Sequence, residues 1–265
     1  MKHILFTFIF ILITSLSFGQ VTDTLQANLK ITQINSNTFI VTHYFPWNSN
    51  SMIVQASDKE VVLIDTPYTN EATKKVIEWI DDKLQPKKII AINTGFHVDN
   101  LGGNTYLRSK GIDIYGAEIT VRMLKERSEA TRKQLISWLR PDQKDIIKAY
   151  KELIFTAPNK VFDENKGLTL NVGKLTFDIY YPGESHSPDN LVVYIQESNL
   201  LFGGCMIKSL GSKGLGFTGD ANIDQWPKSV RQIKERYPKV KIVIPHHGKW
   251  GDSKLLDHTL YLLKK

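Results

Sequence analysis

One cysteine, Cys205, stands among 265 residues, so the chain forms no internal disulfide. Charge of a single sign is never gathered into a block, because lysines and arginines are spread among acids, as in "KERSEATRK" and "RQIKERYPK". The net charge is +7, one less if Lys2 is lost with a leader. That mixed, mildly basic surface reads as solvated helix faces and not as a nucleic-acid footprint. No internal repeat is defensible, and nothing marks an apolar interface, which fits a monomer. What is present is 42% hydrophobic content, enough for a large core and incompatible with a disordered chain.

The start of the chain has a basic residue, Lys2, then "ILFTFIFILITSLSF", then Gly19 before Gln20. This is the pattern of a secretory signal peptide over 1–19, which implies a periplasmic or secreted protein. A membrane anchor is the alternative, but the run is short for a bilayer and the polar "QVTDTLQANLK" follows at once. No cysteine lies near the cut to carry a lipid. In an exported chain the lone Cys205 is either a buried small apolar residue or has a chemical job, and metal ligation is one way to protect its thiolate.

From Leu29 to Pro67, β-rich runs alternate with polar turns and predict antiparallel strands. "NEATKKVIEWIDDKLQ" has helical spacing, "KKIIAINTG" reads as a strand buried on both faces, and "GGNTYLRSKG" as a short helix ending at Gly111. Residues 119–155 form a charged helical insert broken near Pro141, serving either as a cap over a site or as an exposed bracing hairpin. Strands follow at "KLTFDIYYPG", "NLVVYIQESN", "LLFGGCMIK" and "VKIVIP", with helices at "ANIDQWPKSVRQIKERY" and "SKLLDHTLYLLKK". Two strand-then-helix halves predict an α/β fold: an αββα sandwich of two mixed sheets flanked by helices, in one domain over 20–265.

Six histidines lie beyond the leader, and four of them follow a strand: His97, His186, His246 and His247. Cys205 also closes one. Strand ends let a rigid scaffold aim distant side chains at one point. Imidazole and thiolate with a carboxylate, Asp99, favour zinc over magnesium or calcium.

Taken in order, "GFHVDNLGGN", "ESHSPDN", "FGGCMIK" and "IPHHGKWGD" resemble the metal-site segments of a class B metallo-β-lactamase of the first subclass, which usually holds two zincs and uses one cysteine. The likeness runs from about Thr32 to the C-terminus, includes "VVLIDTP" and "LGFTGDANIDQWPKS", and is greatest to members with an enlarged helical insert before "SPDN". It implies His97 and His186 as ligands of a first zinc, and Asp99, Cys205 and His247 as ligands of a second. It makes Lys208 the partner of a β-lactam carboxylate, where an ordinary lysine would face solvent. Asp65 becomes an outer partner of the metal site, although it equally suits a helix cap. Gly102 and Gly103 serve tight turns and close packing. Trp47, in the loop "HYFPWNSNS", either closes over a hydrophobic substrate or packs on its own loop.

Two departures stand out. The family's leading histidine is replaced by Gly95, and the glycine usual before the last ligand is replaced by His246. The reciprocal exchange suggests that His246 supplies the missing nitrogen, or a hydrogen bond near it, in space that Gly95 vacates; the alternatives are an outer role orienting Asp99 or another ligand, and an unrelated partly buried histidine. Adjacent strand residues point to opposite faces, so His246 and His247 converge only if the backbone turns. The expectation is one firm zinc at Asp99, Cys205 and His247, with a second weak or absent. The expected activity is β-lactam hydrolysis by zinc-activated water, with Asp99 and Lys208 in the catalytic set. The rivals are a lactone or thioester hydrolase of the same superfamily, and a zinc-binding relative that has lost turnover.

Overall fold

The computed structural model describes residues 21–264. The leader expected at 1–19 lies outside them. Five strands open the first sheet as an antiparallel meander: β1 (Thr22–Gln26), β2 (Leu29–Asn35), β3 (Thr38–Tyr44), β4 (Asn48–Ser57) and β5 (Glu60–Ile64). Helix α1 (Asn70–Lys83) then returns the chain so that β6 (Lys88–Ile92) lies parallel to β5. Short helices α2 (Val98–Leu101) and α3 (Asn104–Ser109) lead to β7 (Asp113–Ala117), and α4 (Glu118–Ser137) and α5 (Lys144–Glu152) lead to β8 (Lys160–Phe162). Both of these strands add in parallel.

The second sheet takes β9 (Leu168–Val172), β10 (Leu175–Tyr180), β11 (Val192–Ile195) and β12 (Leu200–Gly204) antiparallel. After α6 (Trp226–Arg236), β13 (Ile242–Pro245) pairs parallel to β12, and α7 (Lys254–Leu262) follows.

The layers follow from side-chain period. In β6, Ile90 and Ile92 join the central core while Ala91, between them, joins the outer one, so the strand has no polar face. Helix α1 starts where the Thr69 hydroxyl accepts the Ala72 amide at 3.1 Å, and it buries Ala72, Val76 and Ile80 at helical spacing. Ile40, Met52 and Ile64 of the first sheet meet Phe177, Val193 and Phe202 of the second. Helices α1 and α3 cover one outer face, and α6 and α7 the other. The result is the αββα sandwich of mixed sheets that the sequence predicts.

Three strands go beyond the sequence reading: β1, in a stretch read as polar lead-in, and the short β8 and β9. The stretch 119–155 folds as α4 and α5 around a turn through Pro141. Leu135, Tyr150 and Leu153 form a separate apolar cluster with Tyr68 and Val98, which flank the site loops. The two helices are therefore packed onto the loops below them and are not a solvent-facing brace alone.

Candidate functional site

Parallel pairing of β12 with β13 sets their C-terminal ends side by side, and the His246 amide donates to the Gly204 carbonyl at 2.9 Å. Cys205 and His246 therefore start from neighbouring points. The loop after β6 delivers His97 and α2 delivers Asp99, while the Leu191 amide donates to the Thr94 carbonyl and fixes that loop against the segment carrying His186. Gly102 lies so close beneath that a Cβ there would stand 2.1 Å from the Tyr68 carbonyl oxygen, so only glycine fits.

Two donor groups result. Asp99, Cys205, His246 and His247 form one, and His97, His186 and Cys205 the other, with ligand atoms in each within 4.8 Å of one another. Cys205 faces both. Of the residues expected to ligate, the structure brings all six into these groups.

Of the places open to His246, the structure shows the one beside Asp99. It stands with Asp99 and not with His97 and His186. Its Nδ1 lies 2.9 Å from Asp99 Oδ2, and its Nε2 lies 3.1 Å from Asp65 Oδ2 but outside hydrogen-bond angles. The ring is fully buried between the two carboxylates. A Cβ at Gly95 would meet Asn190 Nδ2 at 3.1 Å and the Asn100 amide at 3.5 Å, so asparagines fill that space. His246 and His247 converge because β13 stops at Pro245 and Gly248 turns the chain at φ +87°. Asn50 secures the turn by donating to the carbonyls of Pro245 and Gly248 at 2.9 and 2.8 Å.

The outer partners match metal ligation. His247 Nδ1 lies 2.6 Å from the Asn48 carbonyl, leaving Nε2 toward Asp99 Oδ2 at 3.1 Å. His97 Nε2 lies 3.0 Å from Asp220 Oδ2. A ligating histidine commonly engages its second nitrogen with a carboxylate or carbonyl in this way. Asp220 is held in turn by Arg127 of α4. Asp65 accepts from the Thr94 amide and hydroxyl and from Asn100, while Thr69 caps α1. Asp65 therefore supports the site floor.

Burial and Asp99 push the Cys205 thiol up, but the His246 and His247 imidazoles outweigh them and hold it well below its ordinary value, as a thiolate. Burial likewise opposes the Asp99 carboxylate, and the same imidazoles keep it ionised. For His246, burial favours the neutral ring, and Cys205 and Asp99 overcome it. His97 is raised to about 10 in spite of burial, through Asp220 and Cys205. His186 is pushed well below its usual value by burial and by Lys208, and its Nδ1 is buried without a partner. A buried thiolate with imidazoles and a carboxylate is a donor set suited to zinc.

Lys208 is buried with its ammonium 5.2 Å from the Trp226 ring centre and no ion pair among the described residues. Burial lowers it to about 8. It lines a cavity of about 810 Å³ together with His97, Asp99, His186 and His247. His43 and His258 belong to neither donor group. Asp220 and Arg127 were not assigned from sequence: "FTGDAN" places an aspartate in a loop, and only the fold shows what it touches.

Residues 44–247 match the family model described as the metallo-beta-lactamase superfamily. A "Metallo-beta-lactamase type 2" of Elizabethkingia meningoseptica is 32% identical over 257 residues, 94% of this chain and 89% of that one. One of Bacillus sp. (strain 170) is 31% identical over 241 residues, covering 89% and 82%. The solved metallo-beta-lactamase from Pontibacter korlensis superposes with a TM-score of 0.76 at 33% identity, covering 89% of this chain and 99% of that one. With its αββα layers and its donor residues meeting at the strand ends, the chain belongs to the metallo-β-lactamase superfamily.

Proposed function

We propose that this chain opens β-lactam rings by zinc-dependent hydrolysis, as an exported protein. The observation that carries the reading is the pair of donor groups sharing Cys205 at the floor of a cavity that also holds the buried ammonium of Lys208. Zinc, when bound, polarises the lactam carbonyl and acidifies a water for attack. Lys208 receives the substrate carboxylate, which offsets the burial that disfavours its charge. Asp99, kept ionised, would accept a hydrogen bond from the attacking water and orient it. His246 Nδ1, 2.9 Å from Asp99 Oδ2, orients Asp99 for that task, which makes His246 a positioning residue in this reading.

Asp99, Cys205 and His247 would hold one zinc firmly, three donors of the kind a catalytic zinc takes. His97 and His186 would hold a second weakly, because Gly95 offers no nitrogen. The test is turnover of a chromogenic cephalosporin before and after chelation. Hydrolysis that chelation abolishes and added zinc restores is expected. No turnover at any zinc concentration, with lactones or thioesters cleaved instead, overturns the substrate.

A further inference from the structure

Helix α4 and its turn take part in the cavity as well as covering it. Trp138, at the C-terminal cap of α4, meets Trp47 edge-on at 5.8 Å between ring centres and Phe217 at 5.0 Å. Phe217 in turn lies 6.1 Å from the His97 ring and 6.4 Å from that of His186. A line of three aromatic rings thus joins the loop between β3 and β4, the end of α4, and the loop between β12 and α6, ending beside the candidate metal ligands. All three rings line the same cavity as Lys208.

The arch is held from both ends. Tyr150 of α5 donates its hydroxyl to the Phe45 carbonyl at 2.7 Å, tying that helix to the loop that bears Trp47. Arg132 of α4 donates to the carbonyls of Tyr150 and Lys151 at 2.7 and 3.0 Å, which joins the two helices. Yet Trp47 and Trp138 remain 39% and 43% exposed. Two large apolar rings fixed in place and left wet, facing a cavity of ligand size, form a surface that gains by covering.

We propose that Trp138, with Trp47 and Phe217, binds the apolar substituent of the substrate and makes the enzyme select β-lactams that carry an aromatic side chain. The proposal rests on the β-lactam reading of the site. Its physical content is that α4 and its turn contribute a third aromatic wall, so that selectivity depends on a ring at position 138.

The test compares benzylpenicillin with 6-aminopenicillanic acid, which has the same nucleus with a free amine in place of the phenylacetamido group, in wild type, Trp138→Ala and Trp138→Phe. The ratio of kcat/KM for the two compounds is expected to fall about fivefold to tenfold in Trp138→Ala, the size of one aromatic contact. In Trp138→Phe, which keeps a ring, the ratio stays within about twofold of wild type. An unchanged ratio in Trp138→Ala, or an equal fall in both variants, overturns the proposal. Intrinsic fluorescence titrations with the same two compounds read binding without turnover. Tighter binding of benzylpenicillin in wild type, with the gap closed in Trp138→Ala, supports the arch even if neither compound is hydrolysed, in which case the hydrolase reading alone fails. No gap in wild type overturns the arch whatever the turnover.

Discussion

The two donor groups share Cys205 but differ in what surrounds their other members. Asp99 sits on a floor built from Asp65, Asn50 and the fully buried His246, while His247, partly exposed, is held through its Nδ1 by the Asn48 carbonyl. His97 is steadied from above, by Asp220 and through it by Arg127 on α4, and the place beside it is a glycine packed by asparagines. The contrast teaches that Gly95 lies away from the floor group. His246 stands in that group, against Asp99, and not beside His97 and His186.

The most damaging way to break the comparison is Cys205→Ala, which removes a donor from both groups. Zinc affinity is expected to fall by more than the roughly 100-fold that outer partners carry, with hydrolysis lost alongside it. Zinc retained after dialysis would show that Cys205 does not ligate.

Imidazoles facing carboxylates can also be set against His43, which is buried without one and is held at about 4 by desolvation. Its folded pKa lies below the ordinary 6.5, so the unfolded chain binds the proton more readily. This contribution to stability is full above pH 6.5 and is lost as pH falls toward 4, by at most about 3 kcal/mol. Urea midpoints between pH 7.5 and 5 are expected to show this slope in wild type and a smaller one in His43→Gln. Equal slopes would contradict it.

Asp220→Asn is expected to act on the weaker group alone. It lowers the affinity for the second zinc by about 10- to 100-fold and leaves the first unchanged, read by competitive chelator titration. Loss of both zincs together would dissolve the distinction.

Gly95→His is the smallest effect. Asn190 is held at its Oδ1 by the Ser185 hydroxyl and the Ser187 amide, so the new side chain presses on an amide that yields little. The expected outcome is a more firmly held second zinc with a loss of about 1 kcal/mol, a few degrees in Tm. Full stability with no added zinc would show that Gly95 is not the defect.

Much of this was legible in the sequence because it rests on period and chemistry. The continuous apolar run of β6 announced a strand covered on both faces, and donor-type residues after strands announced a metal site. Side-chain direction was not legible. Whether His246 and His247 pointed together depended on where β13 stopped and on the turn at Gly248, which spacing alone leaves open. Asp220 and Arg127 lie 93 residues apart and meet only after folding. Strand β8 was hidden because three residues carry no period, whereas β9, LTLNV, does alternate and was readable.

The claim that the two groups are unequal is tested most directly by counting zinc in the purified protein after exhaustive dialysis, for wild type and for His246→Ala. The account predicts one tightly held zinc per chain in wild type, and in His246→Ala an affinity lower by about 10- to 100-fold as Asp99 loses its orienting partner. Two tightly held zincs per chain, in wild type and in His246→Ala alike, would contradict it.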